Sequence, residues 1–407
     1  MPPSRHWRSL LALTAVSAMQ ACAGIESVVV PPPVDASFAS VSAGLLHTCG
    51  VTATNSVYCW GWNRDGEIGD GSQGDRVYAM RVSDVLTFET VRAGGGHSCA
   101  VTTAGVPYCW GLNLTGQLGD GSTGSRSIPT AVAGGLLLAA VSSGGTFTCG
   151  IAAADSTAYC WGWGGYGQLG SPPTETCATG TGIEPCSRTP IAVSGSMRFI
   201  AVSTGSRHTC AVAADSTAYC WGRNDTGQLG NGTTADAAAP VAVSGVIKFT
   251  AITVGFAHSC GLTKAGDAYC WGDNAWGQIG DPTRALSPLP VAVVGGVVFV
   301  SLSAGAQHTC GIEAGNVAWC WGANVSSELG AESTETCMTQ SFVGACSRQP
   351  LAVTTNQTFL SISGGAHHTC AVNTGGRAYC WGNNSNGQLG TGNTSGSDVP
   401  IPVANQP

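Results

Sequence analysis

The stretch Phe249-Thr-Ala-Ile252-Thr-Val-Gly255-Phe-Ala-His258-Ser-Cys260-Gly-Leu-Thr-Lys-Ala-Gly-Asp-Ala-Tyr269-Cys270-Trp271-Gly272-Asp-Asn274-Ala-Trp-Gly277-Gln278-Ile279-Gly280 decides the fold. Apolar residues alternate around His258-Ser-Cys260 and around Tyr269-Cys270-Trp271, and a turn-forming Lys-Ala-Gly-Asp separates them, which reads as a β-hairpin. Phe249 to Ile252 and Pro240 to Val243 supply two further short strands, about four per unit. Outward from this stretch the pattern repeats. Paired cysteines recur: Cys49 with Cys59, Cys99 with Cys109, Cys149 with Cys160, Cys210 with Cys220, Cys260 with Cys270, Cys310 with Cys320 and Cys370 with Cys380. The second cysteines lie 50, 51, 60, 50, 50 and 60 residues apart, and a period near 50 indicates a propeller or a solenoid. Four antiparallel strands make one propeller blade.

These units resemble the repeat family named for the regulator of chromosome condensation, through G-x-x-H-T and Y-x-W-G-x-N-x-x-G-Q-L-G motifs in register from Phe38 to Val403. In that family seven repeats form a seven-bladed propeller, and the count here matches. The expected fold is therefore all-β: a seven-bladed β-propeller of four-stranded antiparallel blades with one disulfide inside each repeat. Local departures are Phe147 in place of His, Gly164 in place of Asn, and Ser327-Glu328 in place of Gly-Gln. A Pro stands fifteen residues before the repeat Gly at Pro129, Pro190, Pro240, Pro290 and Pro350, with Ala79 there in unit two. The C-terminal Pro400-Ile-Pro-Val403 reproduces this strand with no unit after it, so it is expected to complete the first unit's blade.

A chain of 407 residues exceeds the size at which one core keeps growing, in keeping with a repeat architecture. Only 10% of it is charged, 43% is hydrophobic, and there are 59 glycines, a composition of tight turns between short buried strands. The net charge is -7, and no basic cluster marks a nucleic-acid surface. Arg5 and Arg8 precede an apolar run from Leu10 to Met19, the layout of an export signal, too short for a stable membrane span. Met19-Gln-Ala-Cys22 is similar to a bacterial lipobox, so residues 1–21 are read as a lipoprotein signal, Cys22 as a lipidation site, and 22–37 as a Pro-rich tether. Residues 38–403 form the propeller and 404–407 a tail.

Two further cysteine pairs, Cys177 with Cys186 and Cys337 with Cys346, lie in the long gaps, which makes eighteen paired cysteines of 19 and leaves Cys22 over. Cys99 and Cys109 are symmetric about Ala104, hence opposed on a hairpin at disulfide reach. Zinc held by His-x-Cys is the rival reading, but even pairing, an export signal and opposed geometry favour nine local disulfides. The sequence requires no metal and no cofactor. The loop 63–70 has some oxygen ligands of a calcium site, but the other units do not repeat its carboxylates. The recurring His47, His97, His208, His258, His308 and His368 are expected to be structural hydrogen-bonding residues.

Antiparallel connectivity places the Gly-x-x-His loop and the Trp-Gly-x-Asn loop at one end of each blade, together with the insertions 171–188 and 331–348. Residues that vary among units there, Trp62, Trp163, Tyr166, Arg207, Arg223, Phe256 and Trp276, form the candidate binding set, with packing between loops as the alternative for each. Replacing Trp62, Trp163 and Trp276 together is expected to remove binding without affecting folding. The family's founding member is a nuclear guanine-nucleotide exchange factor that binds chromatin, a role at odds with export and paired cysteines. Secreted proteins of the fold include an inhibitor of β-lactamases that binds through loops on one face. No catalytic motif is present, so the expected function is a non-enzymatic binding protein of the bacterial cell envelope. It would be a monomer that takes a protein or glycan partner and meets the membrane only through its lipid anchor. The alternatives are a polysaccharide lyase or hydrolase with a site at the propeller axis, and a secreted enzyme inhibitor.

Overall fold

The computed structural model describes residues 33–173, 175–180, 182–338 and 342–406. The signal segment 1–21 and Cys22 lie outside them. Seven antiparallel sheets follow one another along the chain, over 38–81, 88–131, 138–192, 199–242, 249–292, 299–352 and 359–402. Blade one shows the common plan, with β1 (Phe38–Ala43), β2 (His47–Thr52), β3 (Val57–Gly61) and β4 (Arg76–Arg81) in spatial order β1-β2-β3-β4. Blades three and six gain a fifth strand, Glu175–Thr179 and Glu335–Met338, because each insertion folds into a hairpin on a lengthened outer strand.

The expected strand assignment is corrected at the blade boundary. The Pro-bearing strand pairs backward with the Cys-Trp strand of its own unit, as Ala237–Ala242 does with Ala218–Gly222. Ser397–Pro402 accordingly pairs with Ala378–Gly382 in blade seven, and blade one owns β4, so the C-terminal strand does not complete the first blade. The Pro strand keeps a constant fifteen-residue spacing to the Gly of the unit after it, whereas the insertions vary its distance from the unit before, so spacing alone points to the wrong neighbour. The local antiparallel return decides between them.

Strand period two divides each hairpin into two faces. Cys49, Val51 and Val57 pack toward the next blade against Phe88, Val91 and Trp110, while Trp60 and Tyr58 face the preceding blade's Cys370 and Val372. The core thus lies between blades and is renewed at every interface. Trp60, Trp110, Trp161, Trp221, Trp271, Trp321 and Trp381 are all 0% exposed. Glycine is required at two repeated positions. Gly61 has φ 108°, and a Cβ there would lie 2.7 Å from the His47 Cα. Gly69 lies beneath Trp110, where a Cβ would meet the indole Nε1 at 2.7 Å. In unit six Ser327 takes the left-handed turn usually held by Gly, at φ 65°.

All nine expected disulfides form. Within the blades Cys49 bonds to Cys59, Cys99 to Cys109, Cys149 to Cys160, Cys210 to Cys220, Cys260 to Cys270, Cys310 to Cys320 and Cys370 to Cys380. In the insertions Cys177 bonds to Cys186 and Cys337 to Cys346. The seven blade pairs join directly opposed residues, as in blade four, where the Cα atoms of Cys210 and Cys220 are 4.1 Å apart.

The six histidines join neighbouring blades. The Ser98 hydroxyl donates to the Glu67 carbonyl (3.0 Å), so it accepts from His47 Nε2–H (2.8 Å), which fixes that tautomer. The same bond runs from His97 to Thr148, His208 to Ser259, His258 to Thr309, His308 to Thr369 and His368 to Thr48, and the last of these closes the ring. Phe147 leaves one such bond out, between blades three and four. The tether's described end is packed onto the ring: Val34 is 4% exposed and its N–H donates to the Asn405 carbonyl (2.8 Å).

Candidate functional site

Each blade sends its short Gly-x-x-His loop and its long Trp-Gly-x-Asn loop to one face, and the two insertion hairpins rise on that face too. In the long loop a buried Asn holds the turn: Asn224 Oδ1 accepts from Leu229 N–H, and its amide donates to the Thr233 and Ala235 carbonyls. Residues around this Asn are free to vary. The residue two before Gln lies against the pre-His residue of the next blade, as Thr226 Oγ1 shows by donating to the Ala257 carbonyl (3.2 Å).

That general contact brings four of the candidate residues together across blades three and four. Trp163 and Tyr166 meet edge to face with ring centroids 5.3 Å apart. The Arg207 guanidinium lies 5.3 Å from the Tyr166 ring and 5.9 Å from Trp163, and it donates to the Tyr166 hydroxyl (3.4 Å). Arg223 also lies over the Tyr166 ring, at 5.2 Å, and pairs with Asp225. The insertion hairpin contributes Glu184, whose carboxylate accepts from Trp163 Nε1 (3.3 Å). All four candidates are half-buried. Arg207 has no carboxylate partner among the described residues. The patch therefore offers two rigid aromatic rings and an unneutralised guanidinium, with cation–π contacts worth about 0.5–1 kcal/mol each holding the side chains in place.

The other three candidates lie elsewhere. Trp62 carries Arg64 over its ring at 4.4 Å. Phe256, 45% exposed, stands at the mouth of a cavity on the propeller axis. Trp276 is only 5% exposed, packed with Cys337 and Cys346 beneath Gly344 of the second insertion hairpin.

Trp276 also lines a recess of about 1150 Å³ over blades four to seven, with Val325, Met338, Phe342, Arg348 and His367 around it. At its base Glu328, where most units have Gln, lies 3.7 Å from His367 of the next blade. The Glu328 contact raises His367 above the ordinary histidine pKa. Burial alone would raise the Glu328 carboxyl, but His367 and local donors hold it below its usual range. This pair was not among the candidate residues, and its signal was a carboxylate in place of Gln at a repeated position. In the loop 63–70, Asp70 is taken up by Arg76 at 2.8 Å and by Ser72, and Glu67 Oε2 accepts from Asp65 N–H. Among the described residues no group of three or more His, Cys, Asp or Glu side chains is placed to hold a metal.

The model for the regulator of chromosome condensation (RCC1) repeat matches residues 54–101, 105–151, 155–212, 215–262, 265–312 and 375–407. A second model of that repeat matches 38–67, 199–228, 249–278, 299–328 and 359–388. The Homo sapiens E3 ubiquitin-protein ligase HERC2 is 40% identical over 78 residues, 19% of this chain and 1% of that protein, so the chain spans only a small part of that relative's length. Yeast RCC1 (Prp20), solved bound to Kap60, superposes with a TM-score of 0.72 at 18% identity over 99% of this chain and 91% of that one. Prp20p from Saccharomyces cerevisiae, whose binding properties to Gsp1p and histones accompany its structure, gives 0.72 at 20% identity over 92% and 90%. Human WBSCR16 gives 0.71 at 20% identity over 84% and 89%. At these identities the solved structures share the fold alone.

Proposed function

Because the chain belongs to the regulator of chromosome condensation repeat family, we propose that it is a non-enzymatic binding protein whose loop-rich propeller face takes a protein or glycan partner. The observation that carries this reading is the convergence of Trp163, Tyr166, Arg207 and Arg223, from two blades, into one half-buried patch on that face. Aromatic and arginine side chains held rigid on loops are the usual anchors of interfaces. The face is broad and varies from blade to blade, whereas the opposite face carries short turns such as 53–56 and 103–106.

Nine disulfides suit an oxidising, extracytoplasmic compartment, which supports export. No helix among the described residues is long and apolar enough to cross a membrane. With Cys22 lipidated, the protein would be a monomeric receptor-like platform held at the bacterial cell envelope. An enzyme acting at the axis finds less support, because the residues lining the axial cavity include no carboxylate and no histidine. The test is whether Trp163→Ala with Arg207→Ala removes binding of envelope material from an otherwise folded chain.

A further inference from the structure

The fifth residue of each innermost strand faces the axis: Ser42, Arg92, Ser142, Ser203, Thr253, Ser303 and Ser363 in blades one to seven. Six of them are hydroxyls, and each accepts a backbone N–H from the following blade at 2.9–3.1 Å, as Ser42 does from Ala93 and Ser363 from Ala43. Arg92 breaks this inner ring. It cannot accept, so the Ser143 N–H loses the bond its counterparts make, and Ser143 instead donates its hydroxyl to the Arg92 carbonyl (3.2 Å).

These side chains line an axial cavity of about 410 Å³ in which Arg92 is the one ionisable side chain among the described lining residues. Eight other arginines pair with Asp or Glu. Arg92 pairs with none among the described residues and donates only to the Val91 carbonyl (3.0 Å). Its side chain is exposed to the cavity, and the protein lining close around it lowers its pKa from the ordinary arginine value. A cation exposed to the cavity with no carboxylate partner there is open to an anion. The hydroxyls of Ser42, Ser203, Thr253, Ser303 and Ser363, already serving as acceptors, have protons that go to no acceptor among the described residues. Ser361, also in the lining, has a hydroxyl without a partner there.

Surplus donors, one unpaired cation and no carboxylate define a site for negative charge. We propose that the axial cavity binds an oxyanion, anchored by the Arg92 guanidinium, oriented by the ring hydroxyls, and admitted past Leu45 and Phe256. The anion is either free phosphate or sulfate, or the carboxylate or phosphate group of a larger ligand entering from the loop-rich face. This site is separate from the blade three and four patch, so it stands or falls independently of the proposed partner surface.

Titration calorimetry of the oxidised full chain with inorganic phosphate and with acetate, at ionic strength fixed by chloride, tests it. Saturable binding of either anion is expected, phosphate alone marking a tetrahedral ligand and acetate a carboxylate. Arg92→Ser installs the residue type of the other blades and allows the missing ring bond. It should therefore unfold at the same temperature as the wild type or higher while binding the anion at least tenfold more weakly. Arg92→Lys, a point charge without the fork, should fall between the two. Trp163→Ala with Arg207→Ala should bind the anion as the wild type does. No binding of either anion by the wild-type chain, or equal binding by Arg92→Ser, would overturn the proposal.

Discussion

Trp163, one residue after Gly162, and Trp276, four residues after Gly272, lie on the long loops of different blades, yet removing them should have opposite consequences. Trp276 is 5% exposed and fills the space under the second insertion hairpin, so Trp276→Ala is expected to lower the unfolding free energy in urea by about 3–5 kcal/mol. Trp163 is half-buried on the open face, and Trp163→Ala should cost about 1 kcal/mol or less while reducing binding. Equal destabilisation by the two would show that Trp163 too is packing rather than recognition. Both residues are equally conspicuous in the sequence, because each varies among units on a loop. What separates them is whether an insertion from the next blade covers the ring, and that contact is not local in the chain. Arg92 went unnoticed for the opposite reason. Its signal was present, as the one non-hydroxyl at a position held by Ser or Thr in six units, but only the ring of bonds around the axis gives that position a meaning.

At the scale of strands and hairpins, the blade disulfides were legible because symmetry about a turn fixes register. Cys49 does oppose Cys59, and the eleven-residue spacing of Cys149 and Cys160 still leaves those two directly opposed. Cys310 with Cys320 and Cys370 with Cys380 repeat the arrangement in the last two blades. The blade boundary was not legible, since periodicity states how often a strand occurs but not which neighbour it pairs with. The two classes of disulfide should differ in effect. Each closes a loop of about ten residues, worth roughly 2.5–3 kcal/mol in the chain-entropy model. Cys210–Cys220 lies in the core between blades four and five, so replacing both by Ser should lower the stability of the whole ring by about 2–4 kcal/mol. Cys177–Cys186 ties only the hairpin of Glu175–Thr179 and Gly182–Ala192. Its removal should open that hairpin to trypsin at Arg188 and leave the urea transition of the ring in place. A large shift of that transition would mean the insertion is part of the ring's cooperative unit.

The seven blades over residues 38–402 form a ring joined by six buried neutral histidines, and this makes its stability depend on pH. Burial lowers His47 and His308 to about 4, and His97, His208, His258 and His368 to about 3, against 6.5 in the unfolded chain. Below pH 6.5 the unfolded chain takes up protons that the folded chain refuses. The histidine contribution is therefore complete above pH 6.5 and is lost as pH falls toward 4, by up to about 1.4 kcal/mol per pH unit for each histidine. Glu67, raised by burial to about 7, acts in the opposite sense, but it is one group against six. The urea midpoint should fall steeply between pH 6.5 and 4.5, and His258→Gln should make that slope shallower. A midpoint constant to pH 4.5 would contradict the neutral-histidine ring.

The central claim is that this ring presents one face for binding, with the blade three and four patch as its anchor. Retention of solubilised envelope components by the immobilised full chain, compared with the chain carrying Trp163→Ala and Arg207→Ala, tests it most directly when thermal unfolding of both is followed in parallel. The structure predicts that a partner retained by the wild-type chain is lost from the variant, or held at least tenfold more weakly, while the two unfold within a few degrees of each other. Undiminished retention by the variant, or loss of retention only together with loss of folding, would contradict it.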